Sequence, residues 1–503
     1  MHSFLKKYLA KHQNNQSKAA IAYLASLDLI SEKNPEVSDA ILKELKDQRS
    51  YLKLIASENF SSLPVQLSMG NLFTDKYAEG YVDHRFYAGC DNVDTVESLA
   101  QKELIDLFGC EYASVQPHSG ADANLMAFWA ILCQKIQNPE IEKLNKKSLE
   151  ELTPEEYEKI RTLLCSQKIL GLSLNSGGHL THGYRHNISS KMMQSFAYNV
   201  DSETHLLNYD IILDQAKKIR PLILLAGYSA YPRLINFKKM REIADAVGAV
   251  LMVDMAHFSG LVAGKVLTGE FNPIPWADIV TSTTHKTLRG PRGGFILCKN
   301  EFAEMINKGC PLVMGGPLPH VMAAKAIAFK EANTPEFKDY AHQIVKNSQA
   351  LAKQLKQEGI ALLTDGTDNH MVILDLSNLG LNGRQAEKAL RDAHLTVNRN
   401  SIPNDKNGPW YTSGIRIGTP AVTTLGMTEN EMKILAKVIA NILKNTKPSI
   451  NSKTGEASKA NYVTDKKILE DSKETIRELL GKFPLYPELI LEENEVSLLQ
   501  KGN

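Results

Sequence analysis

Apolar positions along the chain follow two rhythms. Over residues 1–50 they recur at helical spacing, in AAIAYLASLDLI and again in VSDAILKELKDQRSYLKLI. Polar helices with one packing face are predicted there. Further on, short apolar runs bounded by Gly, Pro and polar residues alternate with helical periods. The unit 221–254, PLILLAGYSAYPRLINFKKMREIADAVGAVLMVD, reads as strand, loop, helix and strand. Asn236 caps its helix, Met240, Ile243, Ala244 and Val247 face a sheet, and Gly248 ends it. Such a crossover makes its two strands parallel. The densest stretch is 253–294. Asp254 ends the apolar run AVLMVD, and His257 follows. A second run, ADIVTS, leads into Thr283-Thr284-His285-Lys286-Thr287, and GGFILC closes the stretch. These runs read as buried strands of an α/β sheet, and ligands collect beyond the carboxyl ends of such strands. Asp254 and Lys286 both fall there.

Residues 112–131 form a strand, a turn PHSGAD and a helix, a natural cradle for an anion at free backbone amides. Residues 138–168 differ in composition: thirteen of the 31 are charged, and Thr153-Pro154-Glu155-Glu156 is a capping box, so a solvent-facing helical insertion is expected. From about 330, helical segments alternate with fewer strands, which predicts a smaller α/β domain. Arg416 lies there on the apolar segment GIRIG, where a guanidinium can fork onto a carboxylate. Residues 446–465 read as a flexible linker, followed by an amphipathic helix stopped at Gly481 and Pro484. The expected division is an N-terminal helical arm (1–60), a large cofactor-binding domain (61–330) and a small C-terminal domain (331–503).

Composition narrows the classes. A chain of 503 residues exceeds one ordinary core. A net charge of +1 gives no reason to expect nucleic acid or an anionic membrane as partner. Six cysteines without a CxxC pair point to reduced thiols and a cytoplasmic setting. No apolar run reaches the roughly 20 residues that span a bilayer. The first 26 residues carry four Lys and no Asp or Glu. They read as a packing helix, with a transit peptide as the alternative.

The strand-end groups, taken together, suggest one chemistry. They are a Ser-Gly cradle at Ser119 and Gly120, then His179, Ser229, Asp254, His257, Lys286 and Arg416. A lysine amine, a carboxylate and a phosphate cradle suit pyridoxal phosphate: the amine forms a Schiff base and the carboxylate keeps the pyridine nitrogen protonated. His179 and His182 are three apart but lack further ligands at useful spacing, so no metal is expected.

The segments LIASENF, KYAEGY, CDNVDTVE, VQPHSG, GGHLTHG, VDMAHFSGLVA, STTHKT, GPRGG, GGPLPH, GTDNH, SIPND and TSGIRIGTPA occur in that order. With them the sequence resembles serine hydroxymethyltransferase over roughly residues 45–445. The resemblance implies the aspartate-aminotransferase-like fold type I, with a mixed, mostly parallel seven-stranded sheet. It implies a homodimer that moves the serine hydroxymethyl group to tetrahydrofolate through a Schiff base and quinonoid. By that resemblance Lys286 is the Schiff-base lysine, preceded by His285, Asp254 pairs with the pyridine nitrogen, and His179 stacks on the ring. Ser119, Gly120 and Ala121 line the phosphate, helped by Tyr77 and Gly316 of a neighbouring subunit, while Ser229, His257 and Thr283 contact the cofactor. Arg416 and Ser57 hold the amino-acid carboxylate with Tyr87, and Glu79 lies by the serine hydroxyl and the folate. Leu174, Gly178, His179, Leu180, Asn400, Gly408, Pro409 and Trp410 match folate-contacting positions. Ala121 stands where many members have Ser, so weaker cofactor binding is expected, and Pro311–Pro317 replaces a glycine- and glutamine-rich loop, which implies a loop of different flexibility and position. Folate-independent aldol cleavage or racemisation on the same cofactor is an alternative. A non-catalytic cofactor- or RNA-binding scaffold is another.

Overall fold

The computed structural model describes residues 3–12, 16–450 and 455–489. Seven strands assemble into one sheet. They are β1 (Tyr112–Ser114), β2 (Lys168–Leu172), β3 (Gln194–Tyr198), β4 (Ile223–Gly227), β5 (Val250–Asp254), β6 (Ile279–Thr283) and β7 (Gly294–Cys298). Their spatial order is β1-β7-β6-β5-β4-β2-β3. All run parallel except β7, which is antiparallel to both β1 and β6. Every residue of β4 to β7 is buried, which is why these strands read as continuous apolar runs rather than alternating ones. Alternate side chains serve opposite faces. Leu224, Leu251, Val253 and Val280 join one core cluster; Ile223, Leu225, Met252 and Ile279 join the other. The register aligns Gly227, Asp254 and Thr281 in one row at the carboxyl edge.

A second, antiparallel sheet holds β8 (Ala361–Leu362), β9 (Met371–Asp375), β10 (Asn398–Asn400) and β11 (Gly414–Gly418) in the order β8-β9-β11-β10. Helices Pro335–Gln357, Gly383–Asp392 and Glu429–Lys444 contribute to its core. The first 60 residues are shared among three cores, with Ala56 in that of the large sheet. Helices Phe4–Lys11, Lys18–Lys33 and Pro35–Ser50 pack with Phe60, Leu485 and Leu489, whereas Leu52 and Leu54 enter the core of the smaller sheet. Leu52–Lys53 pairs in parallel with Leu395–Thr396.

Two expectations need correction. Residues 446–465 are not a flexible linker where they are described: Thr446–Ile450 and Ala457–Thr464 pair antiparallel. Helix Gly383–Asp392 and its N-cap fix the ladder, with Gln385 donating to the Ser458 carbonyl and the capping Asn382 to that of Lys459. Both faces of Ala457–Thr464 are at least partly solvated, so its polar composition hid the strand. The last helix, Lys466–Lys482, runs through Gly481 and ends at Phe483. Within 138–168, helices Asn138–Lys143 and Pro154–Ser166 are present, the latter with the Thr153–Glu156 capping box. Among the described residues no helix is long and apolar enough to cross a membrane.

One buried ion pair ties the hairpin of Gly80–Tyr81 and His84–Arg85 to the large sheet. Arg85 pairs with Glu97 and Asp94 and donates to the carbonyls of Ala78 and Gly80. Gln116 bridges the Glu97 carboxylate and the Gly80 carbonyl. Burial raises the Glu97 pKa, and Arg85 opposes it, so this carboxylate depends on its partner. Glu97→Ala leaves Arg85 without its most buried partner and should cost about 3–5 kcal/mol of stability in denaturant titration. A loss under about 1 kcal/mol, as for an exposed pair, would contradict this assignment.

Candidate functional site

The carboxyl edge of the parallel strands gathers the charged groups. Asp254, the last residue of β5, is buried. The Ala256 amide donates to its Oδ1 at 3.0 Å, and Asn124 Nδ2 donates to its Oδ2 at 2.9 Å. His182 Nε2 lies 3.1 Å from the same Oδ2. Burial alone would raise this pKa. The His182 hydrogen bond and the nearby His182, His179 and Lys286 outweigh it and hold the carboxyl well below the usual carboxylate range. Asn124 comes from helix Gly120–Leu132 and joins three elements: it also donates to Thr181 Oγ1 at 2.7 Å and accepts from Thr281 of β6.

Around this carboxylate sit the other groups read from the sequence. His179 follows the turn Leu174–Ser176, and its Nδ1 lies 2.8 Å from Thr181 Oγ1. Burial lowers its pKa to about 4, so the ring is neutral at neutral pH. The turn is rigid because a Cβ on Gly178 would run into the Leu172 carbonyl, and the Gly177 carbonyl accepts from the Ser229 amide at 2.7 Å. Lys286 lies three residues beyond β6. Burial lowers its amine to about 8, with Asp254 pulling the other way and Arg416 and Arg292 adding to the drop. Asn59 holds the backbone of this turn, donating to the Lys286 carbonyl at 2.9 Å. His285, just before it, is kept neutral by burial and by Arg292 and Lys286.

Arg416 reaches in from β11. Its Nε donates to Asn398 Oδ1 at 3.1 Å and its Nη1 to the Ser229 carbonyl, while Nη2 has no partner among the described residues. Burial lowers this guanidinium to about 10, which leaves it charged at neutral pH. Ser229 takes part through its backbone. Ser57 follows Ala56, which packs against Gly418 two residues past Arg416. His257 Nδ1 lies 3.3 Å from His370 Nε2 with the rings stacked, and burial holds both imidazoles neutral.

Ser119 caps helix Gly120–Leu132, its Oγ accepting from the Asp122 amide at 3.1 Å. The amides of Gly120 and Ala121 have no acceptor among the described residues. A Cβ on Gly120 would come within 2.7 Å of Thr283 Cγ2, so glycine lets the cradle lie against the end of β6. Thr283 Oγ1 donates to the Ala256 carbonyl at 3.3 Å, beside Asp254. Free amides at a helix start, an ionised carboxylate and an amine near 8 on one sheet edge fit pyridoxal phosphate in donor type and charge.

A second group of the expected residues meets elsewhere. Tyr77 and Tyr87 are exposed and pack edge to face, 4.9 Å between ring centres. Partial burial and then the adjacent Glu79 carboxylate raise the Tyr87 hydroxyl. Gly316 lies against Tyr77 and Glu79, and its carbonyl lies 3.1 Å from His118 Nε2. That contact pins the Pro311–Pro317 segment, which is not all loop: its first residues lie in a π-helical turn, Cys310–Met314, with Leu312 exposed. No hydrogen bond or ring contact among the described residues joins Tyr77, Glu79 or Tyr87 to Asp254 or Lys286. Of the expected folate positions, Leu174, Leu180 and Trp410 are exposed, Trp410 lying between Arg384 and Arg399. Asn400 ends β10 and Gly408–Tyr411 forms a helical turn.

Sequence reasoning missed Asn124, His370 and the real role of His182. Asn124 was visible as a lone polar residue inside the apolar run NLMAFWAIL. His182 was weighed only as a metal ligand. The structure does supply a third partner, since His179, His182 and Asp254 each offer an atom within 4.8 Å of the others. Those atoms already bond within the protein, His182 to Asp254 and His179 to Thr181.

Comparison with known proteins agrees with this geometry. The family model described as Serine hydroxymethyltransferase matches residues 30–139 and 156–439, leaving out part of the charged insertion. A protein of Treponema pallidum named serine hydroxymethyltransferase is 57% identical over 488 residues, 97% of this chain and 85% of that relative. One of Chlamydia muridarum with the same name is 54% identical over 98% of this chain and 99% of its own length. Another, of Salinispora tropica, is 54% identical over 93% and 98%. Near-full-length identity at this level and the Asp254, Lys286 and Arg416 geometry point the same way: the chain belongs to the serine hydroxymethyltransferase family.

Proposed function

We infer that this chain transfers the hydroxymethyl group of serine to tetrahydrofolate, giving glycine and methylenetetrahydrofolate, with pyridoxal phosphate as cofactor. The observation that carries this reading is one cleft edge holding an ionised Asp254, a Lys286 amine near 8 and an Arg416 guanidinium whose Nη2 has no partner among the described residues. When bound, pyridoxal phosphate supplies a ring that takes up the electrons of a bond broken at the amino-acid α-carbon. Asp254 holds a proton at the ring nitrogen because its own pKa lies far lower. Lys286 presents a partly neutral amine to the cofactor carbonyl. The amides of Gly120 and Ala121, with Ser119, hold the phosphate, and neutral His179 covers the ring. Arg416 and Ser57 fix the substrate carboxylate and so set which α-carbon bond faces the ring.

Glu79, Tyr77, Tyr87 and Gly316 then serve a neighbouring copy. Tyr77 and Tyr87 are exposed and Glu79 and Gly316 half-buried, and among the described residues no hydrogen bond or ring contact joins them to Asp254 or Lys286 of their own chain. A two-fold dimer would bring each cluster to its partner's cleft, where Glu79 moves the proton of the serine hydroxyl and Tyr87 adds a donor to the carboxylate. The exposed Leu174, Leu180 and Trp410, with Asn400 and Gly408–Pro409, frame the folate side. Six unpaired cysteines suit a reducing, cytoplasmic compartment.

Four outcomes test this reading. Purified protein with pyridoxal phosphate should form glycine from serine only when tetrahydrofolate is added. Lys286→Ala should lose at least about 100-fold in kcat, the scale of removing one reacting group; unchanged turnover would contradict it. At pH 7.5 an ordinary lysine is about 0.1% neutral, whereas one near 8 is roughly a quarter neutral. Because the neutral amine reacts, cofactor capture by the apoenzyme should speed up with pH and level off above about 8 in stopped-flow. A rise continuing to about pH 10 would show an unperturbed lysine. Finally, mixing inactive Lys286→Ala and Glu79→Gln chains should restore about a quarter of native activity, since one site in each mixed dimer is intact. No recovery after subunit exchange would place Glu79 in its own chain's site.

A further inference from the structure

Lys325 is a buried cation to which the proposed chemistry gives no part. It lies in helix Pro319–Ala332 and is 1% exposed. Its Nζ donates to three backbone carbonyls, those of Val115 at 2.6 Å, Pro117 at 2.9 Å and Gly294 at 2.8 Å. No carboxylate pairs with it among the described residues. Burial lowers its amine to about 7, with Glu97 opposing. Burying an amine is costly unless its N–H groups are satisfied, and an apolar side chain here would leave three buried carbonyls without this donor. The amine therefore ties together two backbone segments that packing alone would not join.

The three carbonyls locate that use. Val115 and Pro117 lie on the segment that runs directly into Ser119 and Gly120. Gly294 opens β7 and donates its own amide to the Pro117 carbonyl at 2.9 Å. A Cβ on Gly294 would run into the Ser119 carbonyl, and one on Gly293 would come within 2.6 Å of Lys325 Cε. The ammonium thus binds the backbone on both sides of the cradle, and glycines let those strands close over it. Three N–H groups match three acceptors in number, which no uncharged side chain provides.

We propose that Lys325 is a positioning residue for the cofactor phosphate, clamping the segment 115–118 to β7 so that the Ser119–Ala121 amides face the anion. This rests on the assignment of Ser119–Ala121 as the phosphate cradle. The test compares pyridoxal phosphate with pyridoxal, which differ only in the phosphate. Dissociation constants of both are measured by equilibrium dialysis on the full-length apoprotein as wild type, Lys325→Met and Gly120→Ala. Lys325→Met should reduce the preference for the phosphorylated form about tenfold or more, the scale of one charge-assisted hydrogen bond, with pyridoxal binding unchanged. Gly120→Ala, which crowds the cradle against Thr283, should do the same. If only Gly120→Ala changes the preference, the cradle stands and the role of Lys325 is refuted. If neither does, the cradle assignment fails and the proposal with it. Equal weakening of both ligands by Lys325→Met, or its failure to fold, would make Lys325 a general structural group and overturn the proposal.

Discussion

The site depends on one buried carboxylate staying ionised. Asp254 has lost most of its water, and in a low-dielectric interior that loss favours the neutral acid. The His182 hydrogen bond, with the charges of His182, His179 and Lys286, reverses the outcome, and the Ala256 amide and Asn124 hold the carboxylate in place. Asn124 and His182 also have fold roles. Asn124 ties the cradle helix to β6, and His182 ties the His179 turn to β5. The same hydrogen bonds therefore set the charge of Asp254 and the position of the elements around it. A loosened Asn124 or His182 would disturb both at once.

The second constraint is that the catalytic edge is assembled from two sheets. Asp254, Lys286 and the cradle belong to the large sheet, while Arg416 belongs to the small one and crosses to the Ser229 carbonyl. The His257–His370 pair makes a second contact of this kind. Both junctions are polar and buried, and an apolar cluster of Ala230, Leu363, Ile373 and Ile402 also joins the two sides, so hydrogen bonds and apolar contact hold the sheets together. Separation of the two sheets would take the Arg416 guanidinium away from the Lys286 amine, whose pKa it helps to lower.

Much of this was legible in the sequence because residue type and strand-end position coincide. Asp254, Lys286 and Arg416 are charged residues on apolar strands or just past their ends, where burial and function are hard to separate. The helix Phe237–Val247 was readable to its Asn236 cap and Gly248 stop. What stayed hidden depends on partners distant in the chain. Asn124 and Asp254 are 130 positions apart, and Lys325 meets Val115 across 210. No local pattern reports such contacts. The reversed direction of β7 was equally silent, since an apolar run has no polarity in its composition. The hairpin at 446–464 was missed because an exposed strand with no buried face loses the alternation that marks strands.

The most direct test of the central claim is the ionisation of Asp254 itself. A difference infrared titration of wild type against Asp254→Asn, in the apoprotein, isolates its carboxylate band. The account predicts a carboxylate that stays ionised down to about pH 4 and below, under the value of an ordinary Asp. Protonation with a midpoint above about pH 5, as burial without effective donors would give, would contradict it.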